Sequence, residues 1–82
     1  MKVQYTQHAE DALAERQIRR AWVLRAISDP AHTESPGDGT THYLVRIRER
    51  GGRVLRVVVN PETSPPCVVT AFFDRRMKGK LP

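Results

Sequence analysis

Three runs of alternating character, "THYLVRIRE", "RVLRVVVN" and "CVVTAFFD", fill most of the second half of the chain and limit its architecture more than any other feature. Val, Ile, Phe and Tyr recurring with a period of two pack as strands whose two faces differ. "ERGG" is a tight hairpin connection between the first two runs and "NPETSPP" a looser one before the third, so neighbouring strands run antiparallel. Upstream, Pro36, Gly37 and Gly39 in "AHTESPGDGTT" mark a loop that follows at most a short strand at His32–Glu34.

A hairpin loop of Glu49–Gly52 sets Ile47 opposite Val54 and Arg48 opposite Arg53. Tyr43, Val45, Ile47, Val54, Arg56 and Val58 then share one mainly apolar face, while His42, Leu44, Arg46, Arg48, Arg53, Leu55, Val57 and Val59 lie on the other, a basic end on an otherwise apolar surface. A one-residue bulge would exchange the faces of one strand.

Before residue 31 the period is helical. In "TQHAEDALAER", Thr6 is placed to cap a short helix that carries Ala9, Leu13 and Arg16 on one face and His8, Ala12 and Glu15 on the next. A second helix is expected from about Arg19 to Ser28, with Val23, Ala26 and Ile27 inward and Ile18 stapling its start. It ends at "SDP", because the residue before Pro30 is pushed out of the helical region. The expectation is one α+β domain over residues 1–82, with two N-terminal helices on a twisted antiparallel sheet of three to four strands. Ile18, Val23, Ile27, Val45, Ile47, Val58 and Val69 should form its core.

Eighty-two residues suffice for one such core, folding alone or as a small homo-oligomer. Tyr5, Trp22, Tyr43, Phe72 and Phe73 supply its aromatic anchors. The single cysteine, Cys67, cannot form an internal disulfide and opens an apolar strand, where a buried thiol is expected. No apolar stretch matches a signal peptide or a membrane span, so a reducing cytoplasm and no membrane partner are expected.

The net charge of +5 is unevenly spread. Residues 1–41 hold five basic groups against six acidic, whereas residues 42–82 hold nine against three. Most of the excess is arginine, whose planar fork suits phosphate oxygens, and a solvated surface is the plain alternative.

"HAEDALAERQI", "VLRAISDP", "VLRVVV" and "VVTAFF" together resemble the bacterial family named domain of unknown function 4258. Its usual pattern is His-Ala, two arginines four and eight residues after the histidine, an isoleucine, a Val-x-x-Ala-Ile helix ending in proline, and a last strand with Val-x-Thr. His8, Ala9, Arg16, Ile18, Val23, Ala26, Ile27, Pro30 and Thr70 match it. Ala12 stands where the family usually has an arginine, and Arg19, Arg20 and Arg25 replace a serine and acidic residues, which favours anion binding. The resemblance implies kinship with RelE/ParE-type and BrnT-type toxins. Their architecture is RelE-like, or microbial-ribonuclease-like, and many are metal-independent ribonucleases.

Cleaving RNA without metal needs a base for the ribose 2′-hydroxyl, cations for the charge on phosphorus, and an acid for the leaving oxygen. On this reading His8 is the base, Arg16 and Arg46 clamp the phosphate, and Thr70 positions it. Arg48, Arg53, Arg56, Arg75, Arg76 and Lys78 carry nucleic-acid binding. Three of these four candidates also have a structural use: His8 at a helix end, Arg16 as a tie to the helix-helix turn, and Thr70 as a strand former. His32 and His42 lack cysteines or paired acids at ligand spacing, so neither metal nor cofactor is expected. Two functions remain: a small endoribonuclease leaving cyclic phosphate ends, or a non-catalytic basic module for nucleic acid or an acidic, antitoxin-like protein.

Overall fold

The computed structural model describes residues 2–81. Its elements follow the order β1 (Gln4–Tyr5), α1 (Gln7–Arg16), α2 (Arg20–Ser28), β2 (His32–Glu34), β3 (Thr41–Ile47), β4 (Arg53–Asn60) and β5 (Cys67–Phe73). Short 3-10 turns occupy Arg48–Arg50 and Arg75–Met77. Among the described residues the fold is α+β, with two helices and a five-stranded sheet ordered β1-β5-β4-β3-β2. β2 to β5 form an antiparallel meander. β1 adds a fifth strand, parallel to β5 through Gln4–Cys67 and Tyr5–Val68, so the sheet is mixed rather than wholly antiparallel. Two residues are too few to show an alternating pattern, which is why the sequence does not announce this strand.

Thr6 caps α1 as expected: its hydroxyl accepts from the Ala9 amide at 3.0 Å and donates to the Val69 carbonyl at 3.0 Å. One side chain thus starts the helix and pins it to β5. α1 ends at Gln17, a left-handed residue at φ 55°, where the Ile18 amide closes onto the Leu13 carbonyl at 2.9 Å. α2 starts without a side-chain cap and stops at Asp29, before Pro30.

The core gathers Leu13, Ile18, Trp22, Val23 and Ala26 from the helical layer onto Ile47, Leu55, Val57, Val59, Val68 and Ala71 of the sheet. β3 faces as expected, with Ile47 buried and Tyr43 and Val45 packed partly against the core. β4 is reversed relative to the sequence expectation. Ile47 pairs with Arg53 and Arg46 with Val54, so Leu55, Val57 and Val59 meet the helices while Val54, Arg56 and Val58 face away.

The cause is the loop. Five residues, Arg48–Gly52, separate the strands, and both glycines adopt left-handed conformations (φ 69° and 80°). One extra residue shifts the pairing by one and turns every side chain of one strand over. A second shift lies between Val58 and Val59, opposite β5, which brings Val68 and Ala71 rather than Val69 into the core. Of the expected core, Ile18, Val23 and Ile47 are buried, Ile27 and Val45 pack partly against it, and Val58 is buried on the far face. Cys67, expected buried, is half-buried.

The far face is partly covered by the chain's end. Leu44 and Val54 pack with Leu81 and Met77 in a second small cluster. Among the described residues no helix is long and apolar enough to cross a membrane.

Candidate functional site

Basic side chains from four parts of the chain meet where β4 overshoots β5. Arg16 comes from the last turn of α1, Arg50 from the hairpin turn, Arg53 from the first residue of β4, and Arg75 and Lys78 from the C-terminal turn. They line, with Val54, Phe72 and Phe73, a cleft of about 720 Å³ at the sheet's edge. Two of them are anchored through single donors: Arg16 to the Ala71 carbonyl at 3.2 Å and Arg50 to the Gln17 carbonyl at 3.4 Å. Arg50 also lies 5.3 Å from the Phe73 ring and 5.9 Å from the Trp22 ring, so its guanidinium reaches from the hairpin turn back toward α2 and β5.

Asp74 is the acid on this wall, and its charge is internally compensated. Its carboxylate accepts from Arg56 at 2.9 Å and from Arg76 at 3.1 Å, and also caps the C-terminal turn through the Arg76 amide at 3.0 Å. The Arg76 bonds, helped by Arg56 and opposed by burial, lower its pKa from 3.8 to about 2. The cleft therefore presents an excess of positive charge with spare N–H donors and aromatic rings. Such a surface can hold several anionic oxygens beside a flat apolar group.

Of the residues singled out from the sequence, Arg16, Arg53, Arg75 and Lys78 meet in this cleft. Arg48 is exposed on the hairpin turn and does not line it. Arg46 is engaged elsewhere, donating to the carbonyls of Gly52 (3.1 Å), Lys78 (2.7 Å) and Leu81 (3.2 Å). Arg56, expected on the helix side, is buried on the other face and bound to Asp74, to Glu34 at 2.8 Å and to Nδ1 of His42 at 2.8 Å. Its register shift explains the placement. Thr70 pairs with Val58 and shares that far face.

His8 is exposed in the first turn of α1, at the opposite end of the helix from Arg16, and does not line the cleft. Ala12, one turn on, is buried. The helical arginines that depart from the family pattern are also engaged: Arg20 pairs with Glu10 at 2.6 Å, Arg25 is bidentate with Glu49, and Arg19 lies 5.9 Å from the Trp22 ring. Arg50 escaped the sequence reading because a residue at a hairpin tip has no period to give its direction.

A smaller cleft of about 380 Å³ on the far face holds Glu34, His42, Arg56, Phe72 and Asp74. Arg76 and Lys80 line it as well; Arg56 lowers the Glu34 pKa, and Arg56 and Arg76 engage both acids, so among the described residues Lys80 is the cation there outside these pairs.

The family model described as Domain of unknown function (DUF4258) matches residues 5–73. Comparison with curated proteins and with solved structures gives no match. The matched span includes Arg16, Arg50 and Arg53 and stops before Arg75 and Lys78.

Proposed function

The chain belongs to the DUF4258 family, and from that premise we propose that it is a non-catalytic module that binds single-stranded RNA in its basic cleft. The observation that carries this is the meeting of Arg16, Arg50, Arg53, Arg75 and Lys78 with Phe72 and Phe73. Single strands are held by cations that track phosphates and by rings on which bases stack, and the cleft offers both. The cationic groups expected to clamp a reacting phosphate do not surround His8, and Arg46 and Thr70 lie on the other side of the sheet, so binding is better supported than cleavage. Kinship with RelE/ParE-type and BrnT-type toxins belongs to the same proposal, supported by the helical pair on a largely antiparallel sheet.

Fluorescence anisotropy with a labelled RNA tests the reading. Affinity should fall steeply with salt, by about 0.7 in log–log slope for each phosphate neutralised. Replacing Arg53 and Arg75 by Gln should flatten that slope by about 1.4. Absent or salt-independent binding overturns the proposal and leaves the basic half as a solvated surface.

A further inference from the structure

We infer that the cleft recognises the phosphorylated end of a nucleotide, a terminal phosphate among Arg16, Arg53, Arg75 and Lys78 with the adjoining base on Phe72. The inference rests on the nucleic-acid reading above and adds to it the kind of phosphate. Its first support is shape. The basic side chains converge on one cleft of about 720 Å³, bounded by the hairpin turn on one side and the C-terminal turn on the other, rather than forming a stripe along a strand. That volume is the size of a small-molecule site.

Charge is the second support. Five cations face one cleft, and the carboxylate on its wall is already bound to Arg56 and Arg76. An internal phosphodiester brings a single negative charge, whereas a terminal phosphomonoester carries about −1.5 to −2 at neutral pH and three acceptor oxygens. A terminal phosphate, or a chain of two or three, matches such a concentration of donors better than one passing diester.

The aromatic rings supply the third. Phe73 is in use, with Arg50 5.3 Å from its ring centroid and Trp22 in edge contact at 6.5 Å. Phe72 projects to the far side of β5, half-exposed, and borders both clefts. It is the ring left for a base beside the bound phosphate.

The same chemistry could come from the end of an RNA or from a free nucleoside triphosphate, and the test separates them. In EDTA, anisotropy compares an eight-nucleotide RNA bearing a terminal phosphate, at either end, with a ten-nucleotide RNA of equal formal charge and hydroxyl ends, with ATP used both unlabelled as competitor and fluorescently labelled as a direct ligand. One phosphate-ended RNA should bind about tenfold more tightly than its charge-matched control. Arg75→Gln with Lys78→Gln should remove that preference, and Phe72→Leu should weaken binding about fivefold. Both sets of substitutions are at half-exposed or exposed positions, and circular dichroism checks folding. Competition by ATP supports end-phosphate recognition with a free nucleotide as source; tight end binding without it supports an RNA end. Equal affinity for phosphate-ended and hydroxyl-ended RNA overturns this inference while leaving the cleft an RNA site. ATP binding without RNA binding supports the inference and overturns the RNA reading, and failure of every probe overturns both.

Discussion

The Arg46 guanidinium donates to the Lys78 carbonyl at 2.7 Å, and the same side chain reaches Gly52 and Leu81, so it joins the hairpin wall of the cleft to the C-terminal wall from behind. Two of these charge-assisted bonds hold the C-terminal segment, which is otherwise anchored by Asp74, bound to Arg56 and through its amide to the Val54 carbonyl, and by the small contacts of Met77 and Leu81 with Leu44 and Val54. Arg46→Gln should cost about 2 kcal/mol in urea unfolding, since bonds from a charged donor to carbonyls are lost. Trypsin should also cut sooner after Arg75, Arg76 and Lys78. Unchanged stability and digestion would mean that the segment is held without Arg46.

Asp74 ties Arg56 and Arg76 together and should make the protein acid-sensitive in a defined window. Its carboxylate titrates at about 2 in the folded chain, against an ordinary 3.8. The unfolded chain therefore takes up the proton first, and acid favours unfolding. The stabilisation is complete above about pH 4 and is lost as pH falls through about 2. Asp74→Asn should flatten the dependence in that window and, by leaving buried Arg56 short of a counter-charge, cost about 3 kcal/mol at neutral pH. Urea midpoints at pH 7, 4 and 2.5 check both; an unaltered slope in the variant would assign the sensitivity to other carboxylates, such as Glu34 and Glu49, which are also lowered.

These two networks mark where sequence reasoning ended. The capping oxygen of Thr6, the break at Pro30, the short strand His32–Glu34 and the three alternating runs each rest on local chemistry, and all are present in the fold. The face of β4 depended on one residue of loop length, and the Gly51–Gly52 pair allowed a loop one longer than expected. That single shift moved Arg56 from the helix side into the Asp74 and Glu34 network. The cleft was half readable: Arg53, Arg75 and Lys78 stood out as an arginine-rich half, but nothing local says that residue 16 meets residue 78. Arg46 resembled a free phosphate ligand because main-chain carbonyls that would engage it have no signature in sequence.

Thr6 carries two roles on one hydroxyl, and the substitutions separate them from simple burial. Thr6→Ala removes the acceptor for the Ala9 amide and the donor to Val69. It should cost about 1 to 2 kcal/mol in thermal or urea unfolding, the usual range for a lost cap. Thr6→Ser keeps the hydroxyl and should recover most of that. If serine is as damaging as alanine, the methyl group rather than the hydrogen bonds is what matters at this position.

His8 and Arg16 lie at opposite ends of α1, eight residues apart, which is about 12 Å along a helix axis. His8 also lines no wall of the cleft, so on the binding reading proposed above the imidazole and the basic cleft serve different nucleotides. His8→Ala is accordingly expected to leave RNA affinity within about twofold of the parent, because its ring is exposed and lines no wall of the cleft. Labelled RNA incubated with the purified parent in excess EDTA should stay intact. Cleavage with cyclic phosphate ends, slowed by about two to four orders of magnitude in His8→Ala, would instead identify the ring as a general base. In that event the arginines of the cleft would hold a neighbouring nucleotide rather than the scissile one, and Arg16→Gln would raise the substrate concentration needed without abolishing turnover.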